Sequence, residues 1–523
     1  MPFSQYSHDF EGFSTTAATE DNLGSPWLNV SYMASVLYDG PEDSSKPNYA
    51  NFHPFTSFSS FGAVCFHFAA ALTDKLGADA PPIGILMSWM GGTTPESWSA
   101  NESVAMCSDI NTGMSGMPVS KLFYGQVTPF VNTTVSGFLW CVVVALARRR
   151  WALRRAQRSI RANPSLLSPI SFANRYQGEN SCGQIMGSPL TNSGYSCVIV
   201  NMIKSWRKYW SATPGTTAPD APFGTVTVHP YGCESNPNAA VTRWAQLANY
   251  GHAPNPFQPN VFSAQTFDLG DPWGYAPADG GCAHTANATF PARCLPPSAA
   301  RLDPALSYIY PWLLNSSIGC CPNDPLHSRL KSPIGHRLAL SYLNLLAGAD
   351  PVTHPPTGPT IGGCTLNGAN SSITVTFDAS INAEAIRIDG GQVYDMTQWA
   401  RRDSPFFMVC HLAAGADPSH QCADANADWV VAVPSAGANN SVVLSFSLPA
   451  GHETDAVVGL RYGWPLDDLS CCPETDVQNG NSMCVPGACP IKGATTLFPL
   501  NPFRANITAA GKCACTLPQQ CDA

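Results

Sequence analysis

The run Ile83-Gly-Ile-Leu-Met-Ser88 constrains the fold more than any other stretch of the chain. It is short, apolar and non-alternating, as expected of a strand buried on both faces in a parallel sheet. A helical apolar pattern, Phe61 to Leu76, precedes it and ends at Gly77. After it the chain breaks at Met90-Gly91-Gly92-Thr93-Thr94, and Pro95-Glu96 opens a further helix. Helix, buried strand, Gly turn and helix make an α/β unit, which carries its ligands at strand C-terminal ends. Gly91 and Gly92 stand at such an end and can aim a backbone N–H at a substrate oxygen, as an oxyanion hole requires. A plain tight turn would use the same residues.

Further strands of this kind are predicted at Val135–Trp140, Gly224–Val228 and Val261–Leu269, the last with Asp268 and Asp271 at its end. Tyr176-Gln177-Gly178-Glu179-Asn180 is a polar turn of the sort that should follow a strand directly. Between Trp140 and that turn lies 141–175, which holds eight of the 27 basic residues and no Asp or Glu. We read it as an insert, an intron retained in frame; a basic amphipathic helix for a membrane or an anionic partner is the alternative. Pro272–Cys321 is Pro-rich with four cysteines, a disulfide-tied loop, and Ile334–Leu346 is helical.

The Pro/Gly stretch Gly348–Thr360 marks a boundary. Beyond it Ile373–Phe377, Trp429–Val433 and Val442–Phe446 alternate as strands of an all-β domain do. The organisation is an α/β catalytic domain over 1–350, a linker over 351–360, a β-rich domain over 361–465 and a Cys-rich tail over 466–523.

At 523 residues, two or three domains are expected. With 44% hydrophobic and 12% charged residues the chain is globular, and a net charge of −9 argues against nucleic acid as a partner. Twenty cysteines, with pairs at Cys320-Cys321 and Cys471-Cys472 but no paired Cys-x-x-Cys spacing, favour disulfides over zinc. Eight Asn-x-Ser/Thr sequons between Asn29 and Asn506 agree with passage through the secretory pathway, to a secreted or lysosomal destination. Met1-Pro-Phe-Ser lacks the basic start and apolar core of a signal peptide, so the expectation is that the true start lies upstream. The longest apolar run, Val135–Ala147, falls short of the ~20 residues of a membrane span. No metal or organic cofactor is called for.

Asn323-Asp324-Pro325-Leu326-His327 carries the candidate chemistry. An Asp three residues before a His can fold back and accept its Nδ1–H, leaving Nε2 as a general base. A surface turn with an ordinary His fits the same pattern.

These landmarks, in this order, resemble the sialate O-acetylesterases of the SGNH hydrolase superfamily. The matching segments are Phe61-Gly-Ala-Val-Cys65, Ser88 to Trp98, Tyr176 to Asn180, Thr242-Arg-Trp-Ala-Gln246 with Val261–Leu269, Asp324 to His327 and, more loosely, Leu460-Arg-Tyr-Gly-Trp464. The resemblance implies a flavodoxin-like α/β catalytic domain, cleaving O-acetyl esters on sugars with a Ser nucleophile, a His base and an Asp that orients it. It makes His327 the base, Asp324 its orienting carboxylate, and Gly92 or Gly91 an oxyanion donor. Gln177, Gly178, Glu179 and Asn180 then line the acetyl site. The family's Gly-Gln-Ser-Asn-Met block is absent; Met1 matches its final Met, which places the Ser just upstream of the present start. In the family the second strand runs straight into Tyr-Gln-Gly-Glu, as it would here without 141–175. A catalytically inactive, glycan-binding pseudo-esterase is the other reading of the same pattern.

Overall fold

The computed structural model describes residues 34–36, 52–54, 63–77, 80–81, 83–84, 86–88, 93–111, 118–140, 172–173, 181, 184–228, 239–267, 269, 331–348, 350–368, 371–388, 392–395, 400–403, 407–413, 429–464, 469–470 and 491–514. Five short parallel strands form the first sheet: β1 (Met87–Ser88), β2 (Phe138–Trp140), β3 (Phe172–Ala173), β4 (Phe223–Val226) and β5 (Val261–Ala264), in the spatial order β1-β3-β2-β4-β5. The apolar runs read from the sequence therefore do supply strands, although β4 and β5 stop earlier than predicted. Beyond Val226 and Ala264 the Thr227 hydroxyl donates to Gln265 Oε1 and accepts the Thr266 N–H, and the Thr266 hydroxyl donates to the Thr227 carbonyl, which ends the regular ladder. One strand was not foreseen: Phe172–Ala173 lies inside the segment read as an insert.

Both faces of the sheet are covered, and side-chain alternation decides by what. Helix α1 (Ala63–Leu76) packs along α4 (Lys331–Leu346), and Phe68 and Tyr342 from this pair meet Phe262 of β5. On the other face α2 (Gly194–Trp210) sets Trp206 and Trp210 against Phe138 and Phe223. Gly224, in register with Phe262, leaves the space the Phe262 ring occupies: a Cβ there would come within 2.6 Å of it. The result is a helix–sheet–helix sandwich with one continuous core. Helix α2 has no counterpart in the sequence reading. Where Pro95-Glu96 predicted a helix, the chain makes a 3-10 turn (Pro95–Trp98) and then a single α-turn, Asn101–Val104.

The contact of α1 with α4 is close enough to depend on one glycine. A Cβ on Gly335 would lie 2.5 Å from the Cβ of His67 and 2.6 Å from the Phe68 nitrogen. Gly335→Ala must push the helices apart, and a loss of about 1–3 kcal/mol is expected in urea unfolding. An unchanged midpoint would show that the helices are free to shift.

The second region is antiparallel throughout. One sheet holds β6 (Ile361–Leu366), β7 (Ser372–Phe377), β11 (Val433–Ala436) and β12 (Val442–Ser445), ordered β11-β12-β7-β6. The other holds β9 (Phe407–Leu412), β10 (Trp429–Val431), β13 (Ala456–Tyr462) and β15 (Phe503–Asn506), ordered β10-β9-β13-β15. Ile373, Val375 and Leu444 from the first sheet share a core with Phe407, Val409, Leu460 and Phe503 from the second. Three described strands come from the tail: β15, β14 (Ile491–Gly493), which pairs with β8 (Ile386–Ile388), and Leu469–Ser470, which pairs with Gln392–Asp395. Trp244 and Phe267 of the α/β region join the same core, with Trp244 5.5 Å from Trp464, so the two regions are packed together.

Disulfides join Cys107 to Cys197 on α2, and Cys364 on β6 to Cys513 in the tail. Among the described residues no helix is long and apolar enough to cross a membrane.

A buried histidine makes the α/β region acid-sensitive. His252 donates its Nδ1–H to the Tyr250 carbonyl at 3.0 Å, and burial pushes its pKa down to about 4. Above an unfolded-state value of about 6.5 the ring is neutral in both states and costs nothing. As pH falls from there towards 4, only the unfolded chain takes up the proton, so stability is lost across that window, by up to about 3 kcal/mol. Urea midpoints for His252→Gln should fall less steeply over this range than those of the unaltered protein. Parallel slopes would remove His252 as the cause.

Candidate active site

The five parallel strands end along one edge, at Ser88, Ala173, Trp140, Val226 and Ala264. Ligands of open α/β sheets bind outside this edge, and loops leaving it carry the chemistry. Gly91, Gly92, Gln177, Gly178, Glu179, Asn180, Asp324 and His327 all lie outside the described residues. Their described flanks are fixed. Gly91 and Gly92 follow Ser88 closely and lead into buried Thr93, while Gln177 to Asn180 follow Ala173 and lead into buried Ser181.

Asp324 and His327 precede Lys331, the buried first residue of α4. The first half of this helix is anchored at the strand ends, because Arg337 Nη1 donates to the Gln265 carbonyl just beyond β5 at 2.6 Å. Gln265 in turn donates through Nε2 to the Gly251 carbonyl at 3.0 Å.

The segment after the Gly pair is rigid for reasons legible in its residues. Trp98 donates its indole N–H to Thr93 Oγ1 at 2.9 Å and accepts the Trp206 indole N–H on its carbonyl at 2.8 Å. Its ring meets Trp140, the last residue of β2, edge to face at 6.0 Å. Glu96 is buried, and its Oε1 accepts the Asn111 N–H at 3.0 Å. Burial raises the Glu96 carboxyl above the usual carboxylate range, against hydrogen bonds from Thr94 and Asn111 that favour the charged form.

The segment Thr242–Gln246 takes its place on α3 (Ala239–Gln246) as the brace of the β4 end. Gln246 accepts the Val228 N–H at 2.9 Å, and Arg243 Nη1 donates to the Val228 carbonyl at 3.0 Å. Through Nη2 Arg243 also donates to the Gly463 carbonyl at 3.3 Å, and its guanidinium lies over the Phe267 ring at 5.7 Å. One buried side chain thus ties a strand end of the first sheet to the β-rich region. The opposite edge has its own clamp: Arg207 donates to the carbonyls of Ala221, Pro259 and Asn260, each at 2.9 Å.

Sequence reasoning did not assign Glu96, Arg243, Gln246 or Arg337 a place at this edge. Arg243 and Gln246 lie in the Thr242–Gln246 segment, and the sign available was an Arg and a Gln three apart in a mostly apolar helical stretch, where buried polar groups need partners.

No protein-family model matches the chain. Curated relatives do. The chain is 29% identical to a sialate O-acetylesterase of Mus musculus over 232 residues, 43% of this chain and 40% of that protein. It is 29% identical to one of Rattus norvegicus over 238 residues, and 28% identical to one of Homo sapiens over 240 residues. The chain thus spans about two-fifths of the length of the curated relatives it matches. Over those residues, which include part of the mixed α/β chain, the protein is similar to curated sialate O-acetylesterases.

Proposed function

We propose that this protein hydrolyses O-acetyl esters on sugars, O-acetylated sialic acids foremost, through a Ser-His-Asp mechanism on an SGNH-type α/β domain. The observation that carries this is the similarity to curated sialate O-acetylesterases. A serine Oγ attacks the acetyl carbonyl carbon as His327 Nε2 takes its proton, and Asp324 holds the ring by its Nδ1–H. Backbone N–H groups at Gly91 or Gly92, the serine's own N–H and the Asn180 side chain receive the oxyanion. Collapse expels the sugar oxygen, which takes the proton from His327. Water, deprotonated by the same His, then cleaves the acetyl-serine and acetate leaves.

The serine is placed upstream of Met1, and sheet order supports this. A flavodoxin-like sheet runs 2-1-3-4-5, with the first strand in the sequence lying between the second and third in sequence. Here the edge strand β1 is followed by β3, then by β2, β4 and β5. Ala34–Val36 and Phe52–Pro54, the described strands ahead of β1, pair with each other in a separate sheet; a strand of the parallel sheet that preceded β1 would take the slot Phe172–Ala173 fills. That strand is two residues long, and its pairing with β2 is the single position Trp140↔Ala173. A Gly-Gln-Ser-Asn block ending a strand in this slot would bring its Ser to the edge from which the segments of Gly91 and Gln177 depart. The disulfides Cys107–Cys197 and Cys364–Cys513 support passage through an oxidising compartment.

Acetate release from O-acetylated sialic acid tests the reading. Protein that includes the residues encoded upstream of Met1 should release acetate. Protein beginning at Met1 should not. If both are inactive and both bind sialoglycans, the glycan-binding pseudo-esterase takes the place of this reading.

A further inference from the structure

We propose that His411, His452 and Asp455 form a site for a divalent transition-metal ion of the zinc type in the β-rich region. The backbone brings the three together by two devices. In the pairing of β9 with β13 the register slips between Cys410 and His411: Cys410 faces Gly459 and His411 faces Val457, which leaves Val458 as the extra residue of a bulge. Bulges re-aim side chains next to sites. Ahead of β13 the chain turns at Gly451, whose φ is +88°, and closes with hydrogen bonds from His452 N–H to the Pro449 carbonyl and from Asp455 N–H to the His452 carbonyl. This sets His452 three residues before Asp455, on the side His411 reaches.

Both imidazoles converge on one oxygen. His411 Nδ1 lies 2.7 Å and His452 Nδ1 2.9 Å from Asp455 Oδ2, and the rings are 5.1 Å apart. One ligand atom from each residue falls within 4.8 Å of the other two. The charge partners of this carboxylate among the described residues are the two imidazoles, whose hydrogen bonds, that of His411 first, hold it below the usual carboxylate range. His411 and Asp455 are buried, while the His452 side chain is 45% exposed, so an ion has access from that side.

Two nitrogens and one carboxylate oxygen are the donor set of zinc, nickel or copper rather than of calcium or magnesium, which take oxygen shells. Ligand bonds of about 2.0–2.2 Å in a tetrahedral site set neighbouring donor atoms roughly 3.3–3.5 Å apart. The His452–Asp455 distance of 2.9 Å must therefore open by about half an ångström, which half-exposed His452 can supply, and the His411–Asp455 distance of 2.7 Å by somewhat more, which takes a shift of Asp455 on the turn ahead of β13. Each imidazole ligates through Nδ1 as the neutral tautomer protonated at Nε2, its Nδ1 proton passing to Nε2 by way of water; water takes the fourth position on the ion, and the 449–455 turn is pinned to β9.

The test uses the full chain, disulfides intact, stripped with EDTA and titrated with ZnCl2. One equivalent should bind and raise the melting temperature, and His452→Asn should weaken that binding on the order of 100-fold or more while melting like the unaltered metal-free protein. Cobalt in place of zinc should give the visible bands of a four-coordinate ion without thiolate charge-transfer bands, which separates this site from cysteine binding. A melting temperature that excess zinc does not move overturns the proposal, as does equal zinc binding by the unaltered and His452→Asn proteins.

Discussion

In protein that carries the upstream serine, His327→Ala should lower kcat for acetate release by roughly 10⁴-fold or more, since removing the base of a triad removes most of what the triad does. The KM for the acetylated sugar should change little, because the imidazole acts on the reacting atoms and not on the ring. Asp324→Asn should cost about as much, by releasing the imidazole from its tautomer. The melting temperature serves as the control for folding. Activity within tenfold of the unaltered enzyme would remove His327 from the mechanism and leave the Asp-x-x-His turn as ordinary surface structure.

The second large effect concerns the 141–175 segment. Joining Trp140 directly to Tyr176, in protein that begins upstream of Met1, should yield a fully active esterase with a higher melting temperature than the same protein with the segment kept. The reason is competition for one place. Phe172–Ala173 occupies the position between β1 and β2, and a longer strand from upstream would pair along both neighbours rather than meet β2 at Ala173 alone. If the shortened protein is less stable and inactive while the longer one hydrolyses acetyl esters, Phe172–Ala173 is a native strand and the segment is part of the fold.

Apart from Phe172–Ala173, the strands of the parallel sheet were legible because buried parallel strands are continuous apolar runs, and Phe138–Trp140 and Phe223–Val226 are buried at every residue. The same total burial concealed α2. Fourteen of its seventeen residues are buried, so its exposed polar stripe narrows to Lys204 and Lys208, and Asn201, Ser205 and Arg207 set buried polar groups among the apolar positions. The tail strands Ile491–Gly493 and Phe503–Asn506 were hidden among cysteines and prolines, and their partners lie far back in the chain. At the candidate edge the end of the first strand at Ser88 was legible. What Arg243 does was not, since its carbonyl partners are 15 and 220 positions away. The His411–His452–Asp455 cluster depends on a register slip that no local pattern announces.

Full-length protein treated with a fluorophosphonate probe, digested and sequenced by mass spectrometry gives the most direct test of the esterase assignment. The expected result is one labelled serine, in a Gly-Gln-Ser-Asn peptide running into Met1, with acetate release lost in proportion to labelling. Acetyl-ester hydrolysis by protein that starts at Met1, or a label on a serine elsewhere in the chain, would contradict it.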